Sequence, residues 1–184
     1  ITEFDTVTLD QFNEAMAELR ADDMKGLILD LRSNPGGDLS VVVEIARRLL
    51  PAGLITYTEV PSGQRTEYTC DGEYEIDIPM VVLINGYSAS AAEILAGAIQ
   101  DHNKGTVVGT TSYGKGIVQR LITLEDGSAV KLTVSGWFTP NGNNIQGSGI
   151  KPDVEAEYDT NLAETEGLDS QVEKGIEILK EKIG

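Results

Sequence analysis

The chain has 184 residues, of which 40% are hydrophobic and 24% are charged, values typical of one globular domain with a sizeable core. Its formal net charge of −16 argues against nucleic acid or an anionic membrane as a partner, because both repel an acidic surface. One cysteine, Cys70, excludes an internal disulfide, and one histidine, His102, excludes a histidine cluster for zinc. We therefore expect neither a cofactor nor a metal.

The first third of the chain predicts a helix, a strand and a second helix. Apolar residues recur at helical spacing over residues 8–20, with Thr8 as the expected N-cap. The short apolar run 27–32 is typical of a parallel strand and ends in the glycine-rich turn 33–37. Residues 39–50 return to helical spacing.

The middle of the chain predicts three strands and another helix. Residues 54–60 and 65–70 have strand character and are joined by a short turn. Residues 80–84 form a β-branched apolar run, which indicates a buried strand. The small-residue turn 85–90 follows and leads into a helix that ends near residues 101–105.

The last third predicts a strand at residues 106–109, a hairpin and a terminal helix. The hairpin comprises residues 117–124 and 129–134 about the favoured turn pair Asp126-Gly127, and residues 137–139 continue the sheet. Residues 140–153 are rich in Asn, Gly and Pro and predict an ordered loop. The amphipathic helix 170–183 is expected to pack on its own domain; a homodimer contact is the less favoured alternative.

This order of elements predicts an α/β fold. Two strand-to-helix turns, 33–37 and 85–90, are expected to converge at one edge of the sheet. Functional sites of α/β folds gather at the carboxyl ends of the strands, so one composite site is expected there.

Ser90 lies at the start of the helix that follows the second of these turns. Ser90-x-x-Glu93 has the pattern of a capping box, and a serine in this position is more often only a cap. A helix N-terminus also favours negative charge, which suits a nucleophile that passes through an oxyanion. The turn alone leaves both interpretations open.

The loop that carries Lys115 invites a nucleotide-binding interpretation, which we reject. Residues 109–115 match GxxxxGK, most of a phosphate-binding loop. However, Gly116 replaces the Ser or Thr that binds Mg²⁺, and a strand follows where the motif requires a helix.

A serine activated by lysine is the remaining chemistry, although a lysine is normally a solvated surface charge. A hydroxyl needs a base to take its proton, and a lysine can serve only in its neutral form. Glycines on both sides of Lys115 let the backbone pass close to a partly buried amine. Two N–H donors must stabilise the oxyanion, and Ala91 and Gly36 are the natural candidates.

Five blocks occur in order over about residues 1–154 and together resemble the carboxyl-terminal processing peptidases. This tail-specific protease family uses serine–lysine catalysis and is similar also to the tricorn core. The blocks are Leu-Asp-Leu-Arg-Ser-Asn-Pro-Gly-Gly (29–37), Asn-Gly-x-Ser-Ala-Ser-Ala-x-Glu-Ile (85–94), Gly-Lys-Gly-x-Val-Gln (114–119), Thr-Pro-x-Gly (139–142) and Gly-Ile-x-Pro-Asp (149–153).

The resemblance implies a role for individual residues. It makes Ser90 the nucleophile, Lys115 the general base and Gln119 the residue that orients the lysine. If residues 115 and 119 lie on one strand, they face the same side, which suits this assignment.

The resemblance also supports Gly36 and Ala91 as the oxyanion donors. Asp101 matches an acidic residue implicated in some members, and a plain surface role is the favoured alternative. Ser88 is expected to be structural, and Glu93 chiefly a cap.

The implied fold is the ClpP/crotonase-like spiral core, with a mixed sheet, flanking helices and a β-hairpin. We expect residues 1–184 to form one protease core domain, with a catalytic core at 1–157 and a linker and helix at 158–184. The PDZ domain that usually precedes such a core is not among these residues, so weak or no activity is expected from this chain alone.

The implied function is a serine endopeptidase, a hydrolase that cleaves polypeptide substrates near their carboxyl termini in an extracytoplasmic space such as a periplasm, cell envelope or lumen. Its expected partners are polypeptide substrates that present C-terminal tails, and the PDZ domain. The alternatives are a non-catalytic scaffold of the same fold, in which Lys115 would point away from Ser90, and an acyl-transfer enzyme or esterase.

Overall fold

The computed structural model describes residues 1–184 and contains five helices and eight strands. In chain order the elements are α1 (Thr8–Ala21), β1 (Leu27–Asp30), α2 (Leu39–Ala46), β2 (Gly53–Glu59), β3 (Arg65–Cys70), β4 (Met80–Ile84), α3 (Ala91–Asp101), β5 (Thr106–Gly109), β6 (Ile117–Thr123), β7 (Ala129–Phe138), β8 (Val154–Glu155), α4 (Thr160–Glu166) and α5 (Ser170–Ile183).

The strands form two sheets of four. The first has the order β1-β4-β5-β8, and all its neighbouring strands are parallel. The second has the order β3-β2-β7-β6 and is wholly antiparallel. The α/β class is therefore confirmed, and its parallel and antiparallel strands lie in separate sheets. Hairpin connections produce antiparallel neighbours, whereas the crossover through α3 returns the chain parallel to β4.

Strand β4 is the buried centre of the parallel sheet. All five of its residues are 0% exposed, as expected for a strand covered on both faces. Its even-numbered residues join a core cluster of 29 buried residues to which α1, α2 and α3 contribute. The odd-numbered Val81 and Leu83 pack on the other face with Ile178 and Leu179 of α5.

The terminal helix α5 thus covers one face of its own parallel sheet, as the sequence predicts. At Gly175 the helix approaches the sheet so closely that an added Cβ would lie 3.2 Å from Val81 and 3.3 Å from Ile28. None of the five helices has both the length and the apolar character that crossing a lipid bilayer requires.

Two predicted helix boundaries are wrong. The N-cap residue of α1 is Val7 instead of Thr8, and the Asp5 carboxylate accepts hydrogen bonds from the N–H groups of Val7 and Thr8 at 3.0 and 3.1 Å. Helix α2 ends at Ala46, four residues early. The chain then tightens into turns up to Pro51, because a residue before proline avoids the helical conformation.

The sequence also predicts too few elements near the carboxyl terminus. Strand β8 and helix α4 were not expected, and both are short. The stretch predicted as two strands at 129–134 and 137–139 is the single strand β7.

The hairpin β6–β7 is the least covered part of the fold. The last five residues of β6 and the first five of β7 are exposed. At its base β7 pairs with β2, and Trp137 is buried there with 2% of its surface exposed. The hairpin therefore begins in the core and extends beyond it.

Candidate active site

The turns after β1 and β4 lie side by side, as predicted. The Ser33 N–H donates to Oδ1 of Asn85 at 2.9 Å, and the Ala89 N–H donates to the Asn34 carbonyl at 2.9 Å. Parallel pairing of β1 with β4 brings their carboxyl ends to one edge of the sheet. The two turns are thus joined directly by hydrogen bonds.

Ser90 occupies the N-cap position of α3 with φ of 55° and ψ of −115°. A positive φ is uncommon for a residue with a side chain and marks backbone strain, which often accompanies function. The neighbouring turn approaches so closely that a Cβ on Gly36 would lie 2.8 Å from the Ser90 Cβ. Ser88, by contrast, is structural, because its buried hydroxyl donates to the Leu31 carbonyl at 2.8 Å.

Glu93 connects the two halves of the site and does far more than cap α3. Its side chain is 0% exposed and accepts four hydrogen bonds. Oε2 accepts from the N–H groups of Ser90 and Lys115 at 2.8 and 2.9 Å. Oε1 accepts from the Ser112 hydroxyl at 2.5 Å and the Gly114 N–H at 2.7 Å.

The predicted capping box is present, and in it the Ser90 N–H donates to Glu93 at 2.8 Å. The Ser90 side chain faces the Glu93 N–H in capping-box arrangement, but it makes no normal capping hydrogen bond. Its hydroxyl therefore remains available for chemistry.

The backbone of Lys115 is held on both sides. Its N–H donates to Glu93, and its carbonyl accepts from Nε1 of Trp137 at 2.7 Å. The Lys115 side chain is half-buried and forms no ion pair. Its backbone is thus fixed by buried groups, while its amine is unengaged.

The predicted nucleophile and base line one cleft of about 260 Å³. Ala91 and Gln119 line it too, so four of the six predicted site residues meet there. No hydrogen bond joins the Ser90 hydroxyl to the Lys115 amine in this structure, a common situation in sites without substrate. The lining residues are Gly37, Leu39, Thr58, Ser90, Ala91, Ile94, Lys115, Ile117, Val118, Gln119, Lys131 and Trp137.

The two predicted oxyanion donors differ in availability. The N–H of Ala91, at the first position of α3, has no hydrogen-bond partner. The N–H of Gly36 donates to Oδ1 of Asn34 at 2.8 Å and is therefore engaged. The N–H of Gly37 has no partner, and this residue lines the cleft. Gly37 was missed in the sequence, where a pair of adjacent glycines does not reveal which N–H is free.

Gln119 lines the same cleft as Lys115, but the two residues do not lie on one strand. Lys115 precedes β6, which begins at Ile117, and the pairing of β6 with β7 shifts between Val118 and Gln119 because β7 has one extra residue there, Val134. Residue 115 therefore lies outside the strand alternation that was used to relate it to residue 119, whereas the extra residue is on β7 and leaves the alternation within β6 unchanged. Gln119 is exposed and forms no hydrogen bond with Lys115.

Asp101 lies outside the cleft. It is the last residue of α3, whose 11 residues span about 16 Å at 1.5 Å per residue, and Ser90 is at the other end. Its carboxylate accepts a hydrogen bond from the Asn141 N–H at 2.8 Å and so holds the loop after β7. The structure therefore places Asp101 away from the cleft, and its auxiliary role stays a prediction.

A second polar network, besides that of Glu93, lies next to the turn 33–37 and joins β1 to the start of α5. The sequence did not reveal it. Arg32 donates to Oδ2 of Asp30 at 2.6 Å, to Oδ1 of Asp169 at 3.0 Å and to Oε1 of Gln171 at 2.9 Å. The hydrogen bond with Asp30 raises the pKa of Arg32 above its usual value. Burial acts to raise the pKa of Asp169, but hydrogen bonds from the Val172 N–H and Arg32 outweigh it and hold that pKa below its usual value.

Comparison with curated proteins finds relatives that are named as proteases. A carboxyl-terminal-processing protease of Synechocystis sp. is 41% identical over 153 residues, which cover 83% of this chain and 36% of that protein. The carboxy-terminal processing protease CtpA of Bacillus subtilis is 39% identical over 158 residues, which cover 85% and 34%. The chain therefore spans about a third of the length of these relatives.

Solved structures give the same result. A photosystem II D1 C-terminal processing protease superimposes with a TM-score of 0.82 at 34% identity, over 97% of this chain and 45% of that one. The tricorn protease shares the fold, with a TM-score of 0.62 at 24% identity, over 86% of this chain and 15% of that one. These neighbours confirm the predicted protease fold. The profile of peptidase family S41 matches residues 1–156, and the chain belongs to this family.

Proposed function

We propose that this chain is the catalytic core of a serine peptidase in which Ser90 is the nucleophile and Lys115 the general base. The observation that carries the proposal is the single cleft that Ser90, Lys115 and two unpartnered backbone N–H groups share. The hydrogen bonds that the N–H groups of Ser90 and Lys115 donate to Glu93 support it further, because they hold the two residues in a common framework.

In the first step, Oγ of Ser90 attacks the substrate carbonyl while the neutral amine of Lys115 takes the hydroxyl proton. The carbonyl oxygen becomes an oxyanion. The N–H groups of Ala91 and Gly37 are the donors that we propose for it, with Gly36 able to join only if its bond to Asn34 opens. Both proposed donors are free of internal partners, so neither bond has to be broken as charge develops.

In the second step, the tetrahedral intermediate collapses, the C–N bond breaks, and the Lys115 ammonium gives its proton to the leaving amine. The acyl group remains on Ser90 as an ester. A water molecule then attacks this ester as Lys115 again removes a proton, and the acid product leaves with Ser90 restored. Gln119 lines the same cleft, and we propose that it orients the lysine once substrate is bound.

We propose that the substrates are polypeptides cut near their carboxyl termini, in an extracytoplasmic space. The names of the relatives from Synechocystis sp. and Bacillus subtilis, which refer to carboxyl-terminal processing, support the substrate class. We further propose that the 184 residues alone cleave slowly and that an upstream PDZ domain raises the rate.

Cleavage of an unfolded protein such as reduced casein tests the catalytic assignment. We expect Ser90→Ala and Lys115→Ala each to lower the rate by about 10³-fold or more, because nucleophile and base act as a unit. Ser62→Ala and Lys25→Ala are matched controls on exposed loops and should retain the wild-type rate. Normal cleavage by both Ser90→Ala and Lys115→Ala would show that the serine–lysine assignment is wrong.

The proposed activation is tested by joining the chain to the PDZ domain of a relative and comparing the rates of peptide cleavage. A higher rate in the fused protein is expected. Equal rates would refute the activation and leave the catalytic assignment standing.

A further inference from the structure

A second cavity opens beside the catalytic cleft, with a volume of about 680 Å³. Six residues line it: Ser33, Pro35, Tyr87, Ala89, Tyr113 and Lys115. We call this cavity the tyrosine groove. Lys115 is its only charged residue and also the only residue that it shares with the catalytic cleft. The base therefore stands at the boundary between the two.

The same three loops contribute residues to both cavities. The first turn contributes Pro35 to the groove and Gly37 to the cleft, and the second contributes Ala89 to the groove and Ser90 to the cleft. The groove thus continues directly from the residues that would hold the reacting carbonyl. An extended polypeptide rises about 3.3 Å per residue, so one that crosses Ser90 must pass over residues on both sides of the nucleophile.

The two tyrosines have backbones that are fixed by hydrogen bonds and side chains that are exposed to solvent. Tyr87 is 75% exposed and Tyr113 65% exposed. The Tyr87 N–H donates to Oδ1 of Asn85, and the Tyr113 N–H donates to the Ser88 carbonyl, both at 3.0 Å. Tyrosine offers a large contact area and loses little conformational entropy when it is covered. Two such side chains beside a cleft form a surface suited to an aromatic or apolar group.

We propose that the tyrosine groove is a substrate subsite. It binds an aromatic or large apolar side chain of the polypeptide, on the side of the scissile bond opposite to the residue held in the catalytic cleft. This inference rests on the proposed peptidase function. Tyr87 and Tyr113 then determine specificity and take no part in bond making or breaking.

The test uses pairs of peptides that differ only in Phe or Gly at one position, with the position moved stepwise along both sides of the scissile bond. We expect the wild type to prefer Phe at one position on one side by about tenfold in kcat/KM, since covering a phenylalanine side chain favours binding to that extent. In the Tyr87→Ala/Tyr113→Ala double variant the Phe-to-Gly ratio at that position should fall to less than about twofold.

Both peptides are cleaved by one sample, so a partly unfolded variant lowers both rates equally and leaves their ratio unchanged. Tyr87→Phe/Tyr113→Phe should keep the preference, because the ring is retained. Tyr74→Ala removes another exposed tyrosine, 56% exposed and remote from the site, and should keep both the rate and the ratio.

A preference that survives in the double alanine variant would overturn the proposal, as would a wild type with no preference at any position. The Ser90→Ala variant separates this failure from that of the proposed function. If cleavage depends on Ser90 but the ratio does not depend on the tyrosines, only the subsite is wrong. If no peptide is cleaved in a Ser90-dependent way, the peptidase function itself is wrong.

Discussion

The two halves of the catalytic cleft rest on very different parts of the molecule. Ser90 follows β4, which is wholly buried, and begins α3, in which nine of the 11 residues are buried. Lys115 leads into β6, whose last five residues are exposed. The proposed nucleophile, Ser90, is therefore positioned by the packing of the core, whereas the proposed base, Lys115, lies at the base of a projecting hairpin.

This difference shows how a precise site can include a poorly covered element. The backbone of Lys115 is held by hydrogen bonds from its N–H to Glu93 and from Trp137 to its carbonyl. Both partners are buried, so the exposed hairpin takes its position from the core at its base. Glu93 links the two halves, because it accepts hydrogen bonds from the N–H groups of both Ser90 and Lys115. A substitution of Glu93 therefore tests most strongly how the core positions the hairpin.

Glu93→Ala is expected to have the largest effect. The change leaves four donors without an acceptor, two of them on the buried residues Ser112 and Gly114, and we expect a loss of about 3–5 kcal/mol in the free energy of unfolding together with loss of cleavage. Urea unfolding and casein cleavage measure the two effects. Glu125→Ala, an exposed change in the β6–β7 turn, is the control and should cost less than about 0.5 kcal/mol. Equal urea midpoints for Glu93→Ala and Glu125→Ala would contradict the proposal that Glu93 holds the two halves of the site together.

A pair of leucine substitutions compares the buried sheet with the hairpin. Leu83 of β4 is 0% exposed and Leu132 of β7 is 46% exposed. We expect Leu83→Ala to lower the free energy of unfolding by about 3 kcal/mol, because it leaves a cavity, and Leu132→Ala by less than about 0.5 kcal/mol. Urea titrations of the two variants measure both losses in the free energy of unfolding. Similar losses would show that the hairpin is packed more tightly than its exposure indicates.

A pair of glycine substitutions tests the close contact between the two turns. Gly36 and Gly127 both have positive φ, 107° and 84°, so alanine is strained at either position by about 1 kcal/mol. Only at Gly36 would the new Cβ meet neighbours, with the Ala89 carbonyl oxygen and the Ser90 Cβ both at 2.8 Å. We expect Gly36→Ala alone to lower the cleavage rate, by about 100-fold if Ser90 moves by 1 Å. Equal rates for the two variants would argue against this contact as a determinant of the site.

The smallest effect on stability is expected for Asp169, the N-cap residue of α5, which pairs with Arg32. The folded-state pKa of Asp169 is lowered, so its contribution to stability is present above its unfolded pKa of about 3.9 and is lost as the pH falls through the lower folded value. Asp169→Asn keeps a helix cap but removes the ion pair with Arg32, so we expect a loss of about 1 kcal/mol at pH 7.

Urea unfolding of the wild type and Asp169→Asn from pH 7 to pH 2 measures this contribution. The difference between the two proteins should shrink below about pH 4. A difference that stays constant over this range would show that the Asp169 carboxylate contributes no ionic stabilisation.

Local patterns in the sequence determined most of the secondary structure. A buried strand, an amphipathic helix and a hairpin turn each have a period or a turn pair that a short window contains. The ordered family motifs were enough to predict a shared site, and Ser90, Ala91, Lys115 and Gln119 do line one cleft. The α/β pattern predicted that the turns after β1 and β4 would meet. The covering of the parallel sheet by α5 also followed from the apolar stripe of that helix.

Only the tertiary structure decided the polar details. The bonds from Gly114 and Lys115 to Glu93 join residues 21 and 22 positions apart, and the bond from Arg32 to Asp169 spans 137 positions. The structure likewise showed which glycine N–H is free in the first turn, that Asp101 lies at the far end of α3, and that Lys115 lies just before β6 and not within it. Apolar periodicity records which face of an element is buried. The direction of a hydrogen bond depends on the meeting of distant backbones, which no local pattern contains.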